Sequence, residues 1–216
     1  MQSDSNIKKR YADHQAWYDL DWCCEQIQDA YDSIDIRYRD AGLNSAELFL
    51  ANNGNTPNYL RTIDYVQTGL MQKHSILFHG ISRSGKTCTA IAIVIYARVI
   101  YGKEIHIVSE EKLFRELRNI YESRKRDENS SKAEQKLIES LKKHPYLFLD
   151  DFGLEPDNKV YNRIISEIIS ARHFDKLATI FTTNLSPEDI KMIYKDRLLG
   201  RIYEMTNDDQ YYLKMQ

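Results

Sequence analysis

Apolar positions along the chain follow two rhythms, short unbroken runs and longer stretches at helical spacing, and the two alternate. Unbroken runs at 75–79 (Ser-Ile-Leu-Phe-His), 105–108 (Ile-His-Ile-Val), 146–150 and 178–183 (Ala-Thr-Ile-Phe-Thr-Thr) predict strands buried on both faces. Helical spacing predicts helices over 86–101, 109–124, 132–143, 158–173 and 187–195, with a shorter one near 197–204. A last short strand is expected at 211–215. Upstream, Thr56 and Pro57 supply an N-cap and a first-turn proline for a helix that runs to about Gln72. Strand–helix alternation with continuous apolar strands implies an α/β fold, a parallel sheet flanked by helices. Ligands of such sheets sit outside the carboxyl ends of the strands.

Residues 1–40 break this rhythm. They are polar and aromatic, and Asp13–Tyr31 places Trp17, Leu20, Cys24, Ile27 and Tyr31 on one helical stripe. The expected organisation is a short N-terminal helical extension, 1–40, followed by the α/β domain, 41–216. An aromatic stripe of this kind suits docking to a partner protein or packing back on its own domain.

Composition narrows the class. With 216 residues, 42% of them hydrophobic, the chain can bury the core of one sizeable domain. A formal net charge of −2 gives no global argument for nucleic acid or for a membrane surface. No apolar run reaches the length of a membrane span, and the N-terminus lacks the apolar core of a signal peptide. The cysteines are an adjacent pair, Cys23-Cys24, and Cys88, a spacing that suits neither zinc nor disulfides. Reduced thiols and a cytoplasmic setting are expected.

Chemistry enters at the first predicted strand. After it comes Gly80-x-x-x-x-Gly85-Lys86-Thr87, with a helix immediately following. In such a phosphate loop, backbone N–H groups converge on phosphate oxygens and the helix adds its positive dipole end. Ser82, Arg83, Ser84 and Cys88 complete the cradle by their backbone, Lys86 reaches the outer phosphates, and the Thr87 hydroxyl ligates Mg²⁺. Arg83 is unusual, a bulky side chain in the loop interior. The expected ligands are therefore ATP and Mg²⁺. The strand 146–150 ends in Asp150-Asp151, which places Asp150 in the Mg²⁺ shell and Asp151 as general base for the attacking water. The strand 178–183 leads into Asn184, whose amide can orient that water, and then into Ser186-Pro187-Glu188, a helix start. Arg197 and Arg201 stand four apart on one helix, the spacing of a single face, and either can enter a neighbouring subunit's site as an arginine finger.

The series "HGISRSGKT", "LFLDDFG", "ISARHFDKLATIFTTNLSPEDI" and "DRLLGRI" resembles the AAA+ ATPases of the DnaC/DnaI helicase-loader and IstB group, over about residues 36–205. That resemblance implies a P-loop NTPase fold, catalytic roles for Lys86, Asp151 and Asn184, and an arginine finger at Arg201 with Arg197 as the alternative. It also implies ATP-dependent homo-oligomeric assembly on DNA, single-stranded for loaders and duplex for transposition helpers. The partner it implies is a replicative helicase or a transposase. Two departures stand out. Tyr212 occupies the position where the group often has a sensor arginine, with little or no C-terminal lid expected, and the N-terminal segment is shorter than a loader's helicase-binding domain.

Local charge permits a DNA path along Arg115, Arg118, Arg124, Lys125, Arg126, Lys132 and Lys136, with Tyr121 as the aromatic for base stacking. Interleaved acids dilute it. Two other classes stay open on the sequence: a small-molecule kinase with "ESRKRDENSSK" as its lid, and a nucleotide-switch adaptor that does not hydrolyse ATP.

Overall fold

The computed structural model describes residues 61–62, 64–123, 130–153, 158–208 and 210–215. The N-terminal aromatic helix, Arg124–Arg126 and most of the lid-like segment lie outside them. Five strands form one sheet: β1 (Ile76–Gly80), β2 (His106–Ser109), β3 (Tyr146–Asp150), β4 (Ala178–Thr183) and β5 (Tyr212–Met215). Their order is β2-β3-β4-β1-β5, and every pairing is parallel. The helices are α1 (Lys86–Tyr101), α2 (Glu110–Ser123), α3 (Ser130–Lys143), α4 (Lys159–Phe174), α5 (Pro187–Tyr194) and α6 (Asp196–Met205). The expected α/β architecture is the observed one, with every element within two residues of its expected bounds.

The unbroken strand runs are explained by a core on each side of the sheet. Successive β1 residues alternate: Ile76 and Phe78 join Phe148, Ile180 and Leu213 under α1, while Leu77 joins Leu149, Phe181, Ile165 and Ile202 under α4 and α6. α1 is apolar on nearly all sides because it packs between the sheet and the segment Tyr65–Leu70. That segment was expected to be plain helix; Tyr65–Gly69 is instead a π-helical turn closed by Leu70 N–H on the Tyr65 carbonyl at 2.7 Å. Tyr211 is its anchor, with its ring edge-on to Tyr65 at 5.2 Å and its hydroxyl donating to Asp64 at 2.7 Å.

Arg172 is the one fully buried cation among the described residues. It donates to the Leu141 and His144 carbonyls at the end of α3, to the Ala178 carbonyl and to Thr179 Oγ1, all within 2.8 Å. Burial depresses its pKa to about 10. These four bonds lock α3 and α4 to the start of β4, which fixes the strand that ends at Asn184.

Candidate functional site

The site is built where β1, β3 and β4 end. Gly80 leaves β1 with φ 143, and a Cβ there would lie 2.1 Å from the Met215 carbonyl oxygen, so only glycine fits against β5. Gly85 closes the loop at φ 85 and offers no side chain to cap α1, which leaves the first-turn amides of that helix facing the loop. Ile81, Ser82 and Arg83 are exposed and Ser84 is partly buried. Arg83 takes φ 65, a left-handed conformation that disfavours any residue with a Cβ. Cys88 is half-buried in the first turn of α1.

Lys86 is 5% exposed. Its Nζ folds back over the loop, donating to the Gly80 carbonyl at 2.9 Å and the Ile81 carbonyl at 2.7 Å. Burial lowers its pKa, opposed by Asp151 and Asp150. The ammonium is thus held at the loop mouth by neutral carbonyls that an incoming phosphate can replace.

Asp150, 4% exposed, is the centre of the arrangement. Its Oδ1 accepts from Thr87 Oγ1 at 3.0 Å and from Thr182 Oγ1 at 2.6 Å. Residues 63 apart in sequence therefore present two hard oxygens at one point beside Lys86. That donor set fits Mg²⁺, which takes one or two protein oxygens and completes its octahedron with phosphate and water. Among the described residues no cluster of three or more His, Cys, Asp or Glu could cage a metal without such help.

Asp151 follows in a turn at φ 56. The turn is pinned from two sides. From β4, Thr182 Oγ1 accepts the Asp151 N–H at 2.9 Å, the Thr182 carbonyl accepts the Phe152 N–H at 2.8 Å, and Thr183 Oγ1 donates to the Phe152 carbonyl. From α2, the fully buried Glu110 accepts the Gly153 N–H, while its own carbonyl accepts from Tyr161 Oη at 3.2 Å. Burial first, and then Asp150, push the Asp151 carboxyl above the usual carboxylate range, with Lys86 opposing.

Sequence reasoning missed both pinning residues. The buried strand run does not mark Thr182 as a partner of Asp150, and a glutamate opening a helix carries no mark of burial. The signal for Thr182 was the pairing of β3 with β4, which brings its hydroxyl beside Asp150.

Asn184 follows the last residue of β4 and is exposed at this edge, before the expected cap: Ser186 forms a capping box with Asp189, and Pro187 opens α5. Arg197 is exposed, whereas Arg201 is partly buried and donates from Nη1 to Ser170 Oγ. Neither approaches the phosphate loop of its own chain by any hydrogen bond among the described residues. Tyr212 lies in β5 with its ring buried between His79 at 5.1 Å and Tyr203 at 4.8 Å, so it is part of the core.

The expected charge path is less open than its composition suggests. Arg115 and Arg118 pair with Glu111 and Glu122 on their own helix, and Tyr121 donates to Glu134 of α3 at 2.7 Å. Lys132 and Lys136 are exposed one turn apart. No described helix is long and apolar enough to cross a membrane.

Several solved proteins share this architecture. The DnaC helicase loader has 22% identity and a TM-score of 0.66 over 84% of this chain and all 100% of that one. DnaI has 22% identity and a TM-score of 0.59 over 85% of this chain and 94% of that one. The replication initiator DnaA, bound to AMPPCP and single-stranded DNA, has 16% identity and a TM-score of 0.62, over 85% of this chain and 51% of that one. Such identities establish the fold alone. No curated protein matches the chain. The family profile of IstB-like ATP binding proteins, however, matches residues 53–202, a span that holds Gly80–Thr87, Asp150, Asp151, Asn184 and Arg201. A match over that much of the chain places this protein in the IstB-like ATP-binding family.

Proposed function

We propose that this chain is a Mg²⁺-dependent ATPase that assembles on DNA and delivers or regulates a partner protein such as a replicative helicase. The observation that carries it is the convergence of Thr87 and Asp150 at 3.0 Å beside Lys86, with Asp151 next in the chain. The loop amides of 82–88 and Lys86 bind the phosphates, and Thr87 with Asp150 holds the metal, which screens phosphate charge when bound. Asp151 takes a proton from the attacking water, and a carboxyl raised above its usual range is the better base. Asn184 orients that water. A homo-oligomer completes the site, with Arg201, or Arg197 as the alternative, reaching into the neighbouring subunit as the arginine finger.

For DNA, the support is a groove of about 760 Å³ between α2 and α4, with Phe114 and Tyr121 as partly exposed rings and Arg118 among its lining. Single-strand binding uses such rings as stacking platforms. The ion pairs of Arg115 and Arg118 are exposed, and pairs of this kind are worth only about 0.2–1 kcal/mol, so a phosphate can displace the glutamates. A second reading, which the resemblance to the IstB group implies, is a transposition helper acting on a transposase with duplex DNA.

The test is steady-state ATP hydrolysis without DNA, with single strands and with duplex, using Lys86→Ala as blank. Stimulation by single strands supports the loader and stimulation by duplex the transposition helper. A response to neither removes DNA from the function.

A further inference from the structure

The phosphate loop carries one side chain that its backbone disfavours. Gly80 and Gly85 take positive φ, and between them Arg83 does too, at φ 65. Glycine would hold that conformation without strain, and arginine does not. Strained positions of this kind cluster where a protein binds or reacts. Asp151, at φ 56, is the other example at this site. Packing does not account for the arginine. It is exposed, and it makes no hydrogen bond or ion pair among the described residues.

Its place in the loop supplies a target. Lys86 Nζ sits within the loop, on the Gly80 and Ile81 carbonyls and 3.5 Å from Ser84 Oγ. Arg83 immediately precedes Ser84, so its backbone lies one residue from the point where that ammonium would meet the outer phosphates. The sensor arginine often found in the resembled group is missing here. Tyr212 stands in its place, with its ring buried between His79 and Tyr203. The other exposed cation at this edge is Lys214, opposite His79 in the pairing of β5 with β1.

We infer that Arg83 is the residue by which this chain tells a nucleoside triphosphate from a diphosphate, its guanidinium closing in cis on the γ-phosphate held by its own loop. The inference deepens the nucleotide site proposed above and rests on it. The planar fork of arginine offers paired donors to phosphate oxygens, and charge-assisted bonds of that kind exceed neutral ones in strength. Because the residue belongs to the loop, it is in place before any second subunit arrives.

The test is competition of AMPPCP and of ADP, each with Mg²⁺, against a fluorescent nucleotide on the full chain. Arg83→Ala should weaken AMPPCP about 10- to 100-fold, the loss of hydrogen bonds to a charged group, and leave ADP within about two-fold. Arg83→Gly should lose as much, although its backbone is relaxed and its apo Tm is no lower than wild type, which assigns the loss to the side chain. Arg83→Lys, with charge but no fork, should fall between. Equal shifts for the two nucleotides, or no shift for either, overturn the inference. So does a selective loss of AMPPCP in Lys214→Ala with none in Arg83→Ala, which places the discriminating cation on β5. Intact AMPPCP binding in Arg83→Ala, with turnover that no longer rises with protein concentration, assigns Arg83 to a subunit contact and overturns it as well. Binding is read apart from turnover. A wild type that binds AMPPCP through Arg83 but does not hydrolyse ATP keeps the inference and sinks the ATPase reading. Undiminished nucleotide binding in Lys86→Ala removes both.

Discussion

Thr182→Val is the perturbation that probes the site most sharply without replacing a residue that would hold phosphate or metal. Valine keeps the shape and β-branching of threonine at a position with no solvent exposure, so the strand and its packing are preserved. What goes is one hydroxyl with two bonds, a donor to Asp150 Oδ1 at 2.6 Å and an acceptor for the Asp151 N–H at 2.9 Å. A hydrogen bond to a charged group is worth about 1.5–3 kcal/mol, and a buried N–H left unpaired costs about 1–3 kcal/mol. The two overlap in one local rearrangement, so a loss of about 3 kcal/mol is expected rather than their full sum. For a chain of this size that lowers Tm by about 6–12 °C, against a typical total stability of about 5–15 kcal/mol, so the variant folds. Asp151, no longer held at φ 56, should also lose its aim, and kcat should fall more than KM rises. Thermal melts followed by circular dichroism, with ATPase kinetics on the same samples, check both. Thr182→Ser should recover most of each loss. A valine variant that melts within about 2 °C of wild type and turns over normally would refute the claim that Thr182 positions the two aspartates.

Three further expectations follow from the same geometry. Arg172→Met strips the donors from three carbonyls and a hydroxyl at the junction of α3, α4 and β4, and should cost about 3–5 kcal/mol in urea unfolding; a loss under about 1 kcal/mol would show that the buried bonds are replaceable. Arg83→Gly relieves a left-handed backbone at φ 65 and should stabilise the apo protein by about 1 kcal/mol in the same assay, with a drop in stability contradicting the argument. His79 has its pKa lowered from 6.5 by burial and then by Lys214, with Lys86 adding and Glu188 opposing. The unfolded chain therefore binds the His79 proton first as pH falls, so stability drops below pH 6.5 and is unaffected above it. His79→Gln should flatten Tm between pH 7.5 and 5.5; an unchanged slope would place the pH sensitivity elsewhere.

What the sequence disclosed and what it concealed divide along physical lines. β3 and β4 were bounded correctly because each is an apolar run closed by polar residues, Asp150 at one end and Thr183-Asn184 at the other. β1 begins one residue later than its run suggests, because Ser75 turns its hydroxyl to the Thr179 N–H at 2.9 Å. The phosphate loop and the strand-end aspartates were legible since their chemistry demands fixed residue types at fixed spacing. The supports were not. Glu110 looks like an ordinary acid in a helix first turn, and only the fold sinks it completely beneath Gly153. Arg172 continues the apolar stripe of Ile165, Ile168 and Ile169 on α4, where a charge reads as the end of that stripe, and its burial depends on where α3 ends. The tie between Arg201 and Ser170 joins two helices whose relative rotation no local pattern records. Tyr212 stands where the resembled group often has a sensor arginine, and its burial in the core follows from its register opposite Leu77, which no local pattern records.

The central claim, that this site hydrolyses ATP with Asp151 as base, is tested most directly by comparing Asp151→Asn with wild type in two assays on one preparation. Fluorescent-nucleotide titration should show affinity within a few-fold of wild type, since Asp151 hydrogen-bonds neither the loop nor Thr87 and meets Lys86 only through its charge. Turnover should fall by about 10²-fold or more, the usual contribution of a positioned general base. Equal turnover in the two proteins would contradict the account and leave a nucleotide-binding switch in its place.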